Sequence, residues 1–82
     1  MLDHLRALDK VTGVKQSSRA VRSGLARQVF LAYDADPALT GPLEELCRQK
    51  DIPFSNQYTM AELGQAAGIQ VGAAVVTALE NS

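Results

Sequence analysis

The chain has 82 residues, 46% of them hydrophobic and 21% charged, with a formal net charge of −1. A chain of this length suits one domain whose core is modest, hiding roughly 60–65% of the unfolded surface, so there is little room for a deep enclosed active site. The near-neutral balance argues against indiscriminate attraction to nucleic acid, which usually shows as a strongly basic chain.

Taken in chain order, Leu2, Leu5 and Leu8 recur at rough helical spacing, with Asp3 where a helix dipole favours an anion. Val11 to Val14 reads as a short extended piece broken at Gly13, and residues 16–23 as a helix stopped by Gly24. Gln28 to Tyr33 is rich in β-formers and apolar on both faces, as a central strand requires. Asp34 to Pro37 has the composition of a turn. The next helix carries Leu43, Leu46 and Cys47 on one face and ends near Lys50. An interior proline breaks a helix, so Pro42 is expected in its first turn, with Thr40 as the N-cap. Pro53 to Gln57 is short and polar, which suits an edge strand. Thr59 and Glu62 have the spacing of a capping box, and Tyr58 and Leu63 that of a hydrophobic staple across the same helix start. Met60, Leu63 and Ala67 then face inward, Gly68 ends the helix, and Ala73 to Leu79 forms a last buried strand.

The order is α-β-α-β-α-β-α-β. Such alternation predicts an α/β fold in a single domain over residues 1–82, with a central sheet of about four strands and helices on both faces.

Charge is distributed unevenly. Residues 1–27 carry Arg6, Lys10, Lys15, Arg19, Arg22 and Arg27 against Asp3 and Asp9, whereas the rest carries Arg48 and Lys50 against seven acids. One face can therefore attract phosphate while the whole stays near neutral. Cys47 is alone and has no partner for an internal disulfide, which fits a reducing compartment. No run approaches the ~20 apolar residues of a membrane span, and the first ten residues lack a signal-peptide apolar core. A cytoplasmic location and no membrane partner are expected.

Little in the chain points to catalysis. His4 is the only histidine and has no serine or cysteine nucleophile placed beside it. Cys47 sits among leucines as a small buried hydrophobe would. Asp34 and Asp36 are too few for a firm magnesium or calcium site and read instead as a turn leading into a helix. Neither a dinucleotide fingerprint nor a P-loop is present, and no cofactor or metal is expected. Gly64, Gly68 and Gly72 read as a close-packing position, a helix end and a loop residue. Between the last two, Ile69 and Val71 either fold into the core or form a small apolar platform against an unstacked base.

The segment from Gly13 to Arg19 carries the strongest functional signal. A strand ends and a helix begins there, and a helix start offers unpaired N–H groups and a partial positive charge to a phosphate. Lys15, Gln16, Arg19 and Arg22 follow at spacings that let them share one helical face. Lysine and arginine can reach phosphates or guanine edges, and glutamine can bond base edges. A solvated helix face is the plainer explanation of the same spacing.

Three segments together resemble the ribosomal protein L-seven-Ae family, in particular its short bacterial members that bind kink-turn RNA. They are Gly13-Val-Lys-Gln-Ser-Ser-Arg19, Leu31-Ala-Tyr-Asp-Ala-Asp-Pro37 and Glu62-Leu-Gly-Gln-Ala-Ala-Gly-Ile-Gln-Val-Gly-Ala-Ala74, and they span most of the chain in the family's order. The resemblance implies a three-layer α-β-α sandwich around a roughly four-stranded mixed sheet. It implies non-enzymatic binding to the kink-turn, a bent RNA helix with tandem sheared G·A pairs beside a bulge; association with the ribosome and ribosomal RNA is expected with it, and the chain itself is expected to be a monomer. By the same resemblance, Gly13, Lys15, Gln16 and Arg19 meet the G·A guanines and phosphates, and Ile69, Gln70 and Val71 cover a flipped-out base; Arg22 extends the basic face. Many archaeal and eukaryotic members carry Asn-Glu where this chain has Lys15-Gln16, a departure that removes an acid and adds a cation. A protein-interaction module on the same fold is the alternative, and a small hydrolase built on Asp34 and Asp36 a more distant one.

Overall fold

In the computed structural model the described residues are 9–80. The leucine-spaced segment at Leu2–Leu8 and His4 lie outside them. Among the described residues four strands form one mixed sheet and three helices pack against it. The strands are β1 (Lys10–Thr12), β2 (Ala26–Ala32), β3 (Phe54–Tyr58) and β4 (Val75–Leu79). The helices are α1 (Val14–Arg22), α2 (Pro37–Gln49) and α3 (Met60–Ala66). The sheet order is β1-β4-β2-β3; β4 runs antiparallel to both neighbours and β2 pairs parallel with β3. The expected α/β class, with a four-stranded mixed sheet, is what forms.

Both faces of the sheet are covered, which explains why β2 and β4 read as continuous apolar runs. On one face Val29, Leu31 and Val75 pack with Ala20 and Val21 of α1 and Leu43 and Cys47 of α2. On the other, Phe30, Ala32, Val76 and Ala78 pack with Leu63 and Ala66 of α3. Alternation along a strand places Val29 and Leu31 on one side and Phe30 and Ala32 on the other. Ala26 joins Val29 on the α1 side despite an odd spacing. A register shift accounts for it: Ala26 pairs with Leu79 and Gln28 with Ala78, so Arg27 is the extra residue of a bulge.

Several boundaries differ from the sequence reading, each for a local reason. Helix α1 begins at Val14, two residues before the expected start, because Gly13 turns the chain and its carbonyl accepts from Ser17 N at 3.0 Å, closing the first helical turn. Helix α2 begins at Pro37, with Asp36 rather than Thr40 as its N-cap, and Pro42 lies inside it. The capping geometry decides this: Asp36 Oδ1 accepts from Ala38 N at 2.9 Å, and Pro37 takes the first helical position, where no N–H is needed. The intrahelical bond that Pro42 forfeits would run to the carbonyl of exposed Ala38, where water can replace it. Strand β2 starts earlier than expected and ends at Ala32, β3 is shifted by one residue to Phe54–Tyr58, and the last strand begins at Val75 rather than Ala73. The capping box forms as its spacing predicts: Thr59 Oγ1 accepts from Glu62 N at 3.1 Å and Glu62 Oε1 accepts from Thr59 N at 2.9 Å.

Candidate nucleic-acid interface

Because β1 and β2 are both antiparallel to β4, and β3 is parallel to β2, β1, β2 and β3 point the same way. Each is followed by a helix, so α1, α2 and α3 all begin at one end of the sheet. In open α/β sheets the carboxyl ends of strands are where ligands collect.

The three helix starts differ. At α2, Asp36 caps the helix. At α3 the Thr59–Glu62 pair does so, and Asp34 Oδ1 accepts from Met60 N at 2.8 Å as well. Both aspartates considered for a metal are therefore engaged with backbone amides, and no group of three or more metal-ligating residues comes together among the described residues. At α1 the N-cap is Gly13, there is no side-chain cap, and the first turn contains no acid. The amides of Val14, Lys15 and Gln16 have no carbonyl a turn earlier to bond. Gly13 has φ 102°, a region that only glycine occupies at little cost, and its N–H donates to Val75 O at 2.8 Å.

Side chains on α1 divide cleanly. Ser17, Ala20 and Val21 are buried, and the small Ser17 and Ala20 let the helix lie close to the sheet. Lys15, Gln16, Arg19 and Arg22 are exposed. Lys15, Arg19 and Arg22 line one open groove with Ser23; Gln16 and Arg19 border a second, more apolar one with Val11, Leu25 and Leu79. Among the described residues none of Lys15, Arg19 and Arg22 has a carboxylate at ion-pair distance.

The loop from Gly68 to Ala74 enters β4 at this same end. It is tied to α3 by Ile69 N donating to Gly64 O and Ala73 N to Met60 O, both 3.0 Å. Gly64 makes the tie possible, since a Cβ there would overlap the Val71 carbonyl; a Cβ on Gly72 would come within 3.1 Å of Met60 Cβ. With its backbone held inward, the loop turns its side chains out. Ile69 is 37% and Val71 69% exposed, and Gln70 is exposed, so of the two fates open to this loop the core is not the one taken. The loop and the α1 start are neighbours: Gly13 N bonds Val75 O on one side of β4, and Ala32 N bonds Ala74 O at 2.9 Å on the other.

Sequence reading missed two residues at this end. Tyr33, assigned to the central strand, is 62% exposed, and Leu39 in the first turn of α2 is 47% exposed. Their one advance signal is position, on either side of the Asp34–Pro37 turn. Cys47 is wholly buried; desolvation, and then the nearby Glu44 carboxylate, push its thiol pKa up, so it stays protonated and is a poor nucleophile.

An α/β sandwich with an uncapped basic helix start beside an exposed apolar loop is the architecture of a small binding module. The chain belongs to the ribosomal protein L7Ae/L30e/S12e/Gadd45 family, whose pattern it matches over residues 4–82. It is 40% identical over 72 residues to a protein of Geobacillus sp. strain WCH70 named RNA-binding protein, covering 88% of each chain. A Bacillus pumilus strain SAFR-032 protein of the same name is 38% identical over 66 residues, 80% of each chain. Among solved structures, the Giardia lamblia 15.5 kD RNA binding protein superposes with a TM-score of 0.86 at 24% identity, covering 96% of this chain and 68% of that one. A Bacillus halodurans C protein of unknown function gives 0.84 at 28% identity, covering 94% and 81%.

Proposed function

We propose that this protein is a non-enzymatic RNA-binding protein that recognises kink-turn RNA as a cytoplasmic monomer, with ribosomal RNA among its targets. The observation that carries the reading is the uncapped start of α1. Its free amides, with Lys15, Gln16, Arg19 and Arg22 exposed along the helix, sit beside a loop that turns Ile69, Gln70 and Val71 outward. The bacterial relatives at 38–40% identity are named RNA-binding proteins, which supports the RNA-binding part of the reading.

A-form RNA keeps its major groove too narrow for side chains, and a kink opens it. The helix start then meets phosphates and guanine edges, and the apolar loop packs on an unstacked base. With a net charge of −1 the protein depends on shape more than on bulk attraction.

The test is calorimetric titration with a short kink-turn RNA and with the same RNA carrying Watson–Crick pairs in place of its G·A pairs. Tight binding to the first and weak binding to the second is expected; equal binding to both would sink the specificity. Lys15→Ala and Arg19→Ala should each weaken binding by about 1–3 kcal/mol. Full-strength binding by the double variant would move the interface elsewhere. The slope of log affinity against log salt should be shallow, at roughly −0.7 to −0.9 per phosphate for only a few phosphates.

A further inference from the structure

Five large hydrophobic side chains are exposed among the described residues: Leu25, Tyr33, Leu39, Ile69 and Val71. Single exposed apolar residues mean little, but a group of them on one surface marks a contact site. Tyr33 and Leu39 lie at the end of the sheet where the helices begin, and Ile69 and Val71 stand on the loop that runs from α3 into β4 at that end. Leu25, preceding β2, is at the other.

Tyr33 is the only aromatic among them, and the backbone fixes where it stands. Its N–H donates to Tyr58 O at 3.1 Å, which continues the β2–β3 ladder one residue past Ala32. Tyr33 itself lies in the turn that follows β2, closed by Ala35 N donating to Ala32 O at 3.3 Å, and it is 62% exposed. Segment 74–75 separates it from Gly13, through Ala32 N to Ala74 O and Gly13 N to Val75 O. Two strand spacings of ~4.8 Å put the backbones of Tyr33 and the α1 start about 10 Å apart. The first turn of α1 carries Lys15 and no acid, a start that selects an anionic partner.

We propose that Tyr33 is a stacking platform for an unpaired base of the bound RNA, with the strand's phosphates held by the α1 start. The inference rests on the RNA-binding reading above. A flat π-face takes any base, so Tyr33 supplies affinity without sequence preference and complements the contacts of Gln16. The interleaving of single apolar groups with Lys15, Gln16 and Gln70 suits a nucleotide strand better than the continuous apolar patch a protein partner would use.

The test compares the intact protein with Tyr33→Ala and Tyr33→Phe on the same kink-turn RNA, after circular dichroism has shown both variants folded. Tyr33→Ala should weaken binding roughly 5- to 100-fold, the range for losing one aromatic–base stack, while Tyr33→Phe binds within about threefold of the parent. With 2-aminopurine at each unpaired position in turn, one position should lose fluorescence on binding the parent and the Phe variant but not the Ala variant. Parental affinity in Tyr33→Ala, with Lys15→Ala still impaired, overturns the role of Tyr33 and leaves the RNA reading standing. Loss of a protein partner by Tyr33→Ala with RNA affinity intact overturns it equally. If the parent binds no kink-turn RNA, the RNA reading fails and this inference falls with it.

Discussion

The starts of α1 and α3 lie at the same end of one sheet, and each must dispose of amides that a helix leaves unbonded. Helix α3 does so within the protein, through Thr59, Glu62 and a carboxylate lent by Asp34 from the end of β2. Helix α1 does not: Gly13 offers no side chain, no acid follows, and a lysine stands in the first turn, where it opposes the helix dipole. Arg19 and Arg22 near its far end are by contrast well placed for that dipole. The difference teaches that a helix of only nine residues has given up stability at one end alone, the end that faces a neighbouring exposed loop. Such a local loss is what a binding site looks like when the rest of the fold is consistent.

Five variants test the contrast between the two helix starts and the packing around them. Gly64→Ala has the largest expected effect. Its Cβ meets the Val71 carbonyl, so the loop must move or α3 must tilt, at a cost of about 3 kcal/mol in urea unfolding. An unchanged midpoint would show that the loop is not tied down and that Ile69 and Val71 are free to rearrange. Lys15→Glu should separate stability from function: RNA affinity falls by at least about 2 kcal/mol, while thermal unfolding shows a gain of about 0.3–1 kcal/mol from an acid in the first turn. Loss of both together would mean that Lys15 supports the fold and that the contrast with α3 is misplaced.

Thr59→Ala at the capped start should cost about 1 kcal/mol of stability and leave the RNA affinity of the folded protein within threefold. A large affinity loss there would extend the interface to α3. Ser17→Ala tests the buried side of α1. Ser17 Oγ is fully buried with no hydrogen-bond partner among the described residues, so its removal should stabilise the protein by up to about 1 kcal/mol. Destabilisation would point to an ordered water on that hydroxyl. The smallest effect belongs to Glu44→Gln, which removes the 3.4 Å pair with Arg48 and leaves Arg48 over the Phe54 ring; the pair is largely solvent-exposed, and less than about 0.5 kcal/mol should follow in the same urea assay.

Strong local signals translated directly into structure. The Thr59–Glu62 box, the Gly68 helix end, the buried face of Leu43 and Cys47, and the polar edge strand each depend on neighbours within a few residues, so they are legible in the chain. The start of α2 was misread because two local rules competed. Proline inside a helix is costly, which favoured Thr40, yet an aspartate cap followed by a first-position proline outweighed one missing bond at an exposed turn. Tyr33, expected as the last residue of the central strand, lies in the turn beyond β2 and is exposed, because a strand's apolar run does not announce the residue at which its covering helices stop.

By itself the sequence determined the α/β alternation, the near-continuous burial of β2 and β4, the basic face of α1 and membership of a family, because periodicity, composition and motif are local properties. Tertiary packing alone put three helix starts at one end of the sheet, left one of them uncapped, and set Tyr33 and the exit of the loop bearing Ile69 and Val71 at that same end. Those facts depend on strand order and direction. The antiparallel insertion of β4 between β1 and β2 brings residues 13, 33 and 74 to one end of the sheet, and pairing between segments so far apart in the chain is set by the packing of the whole sheet.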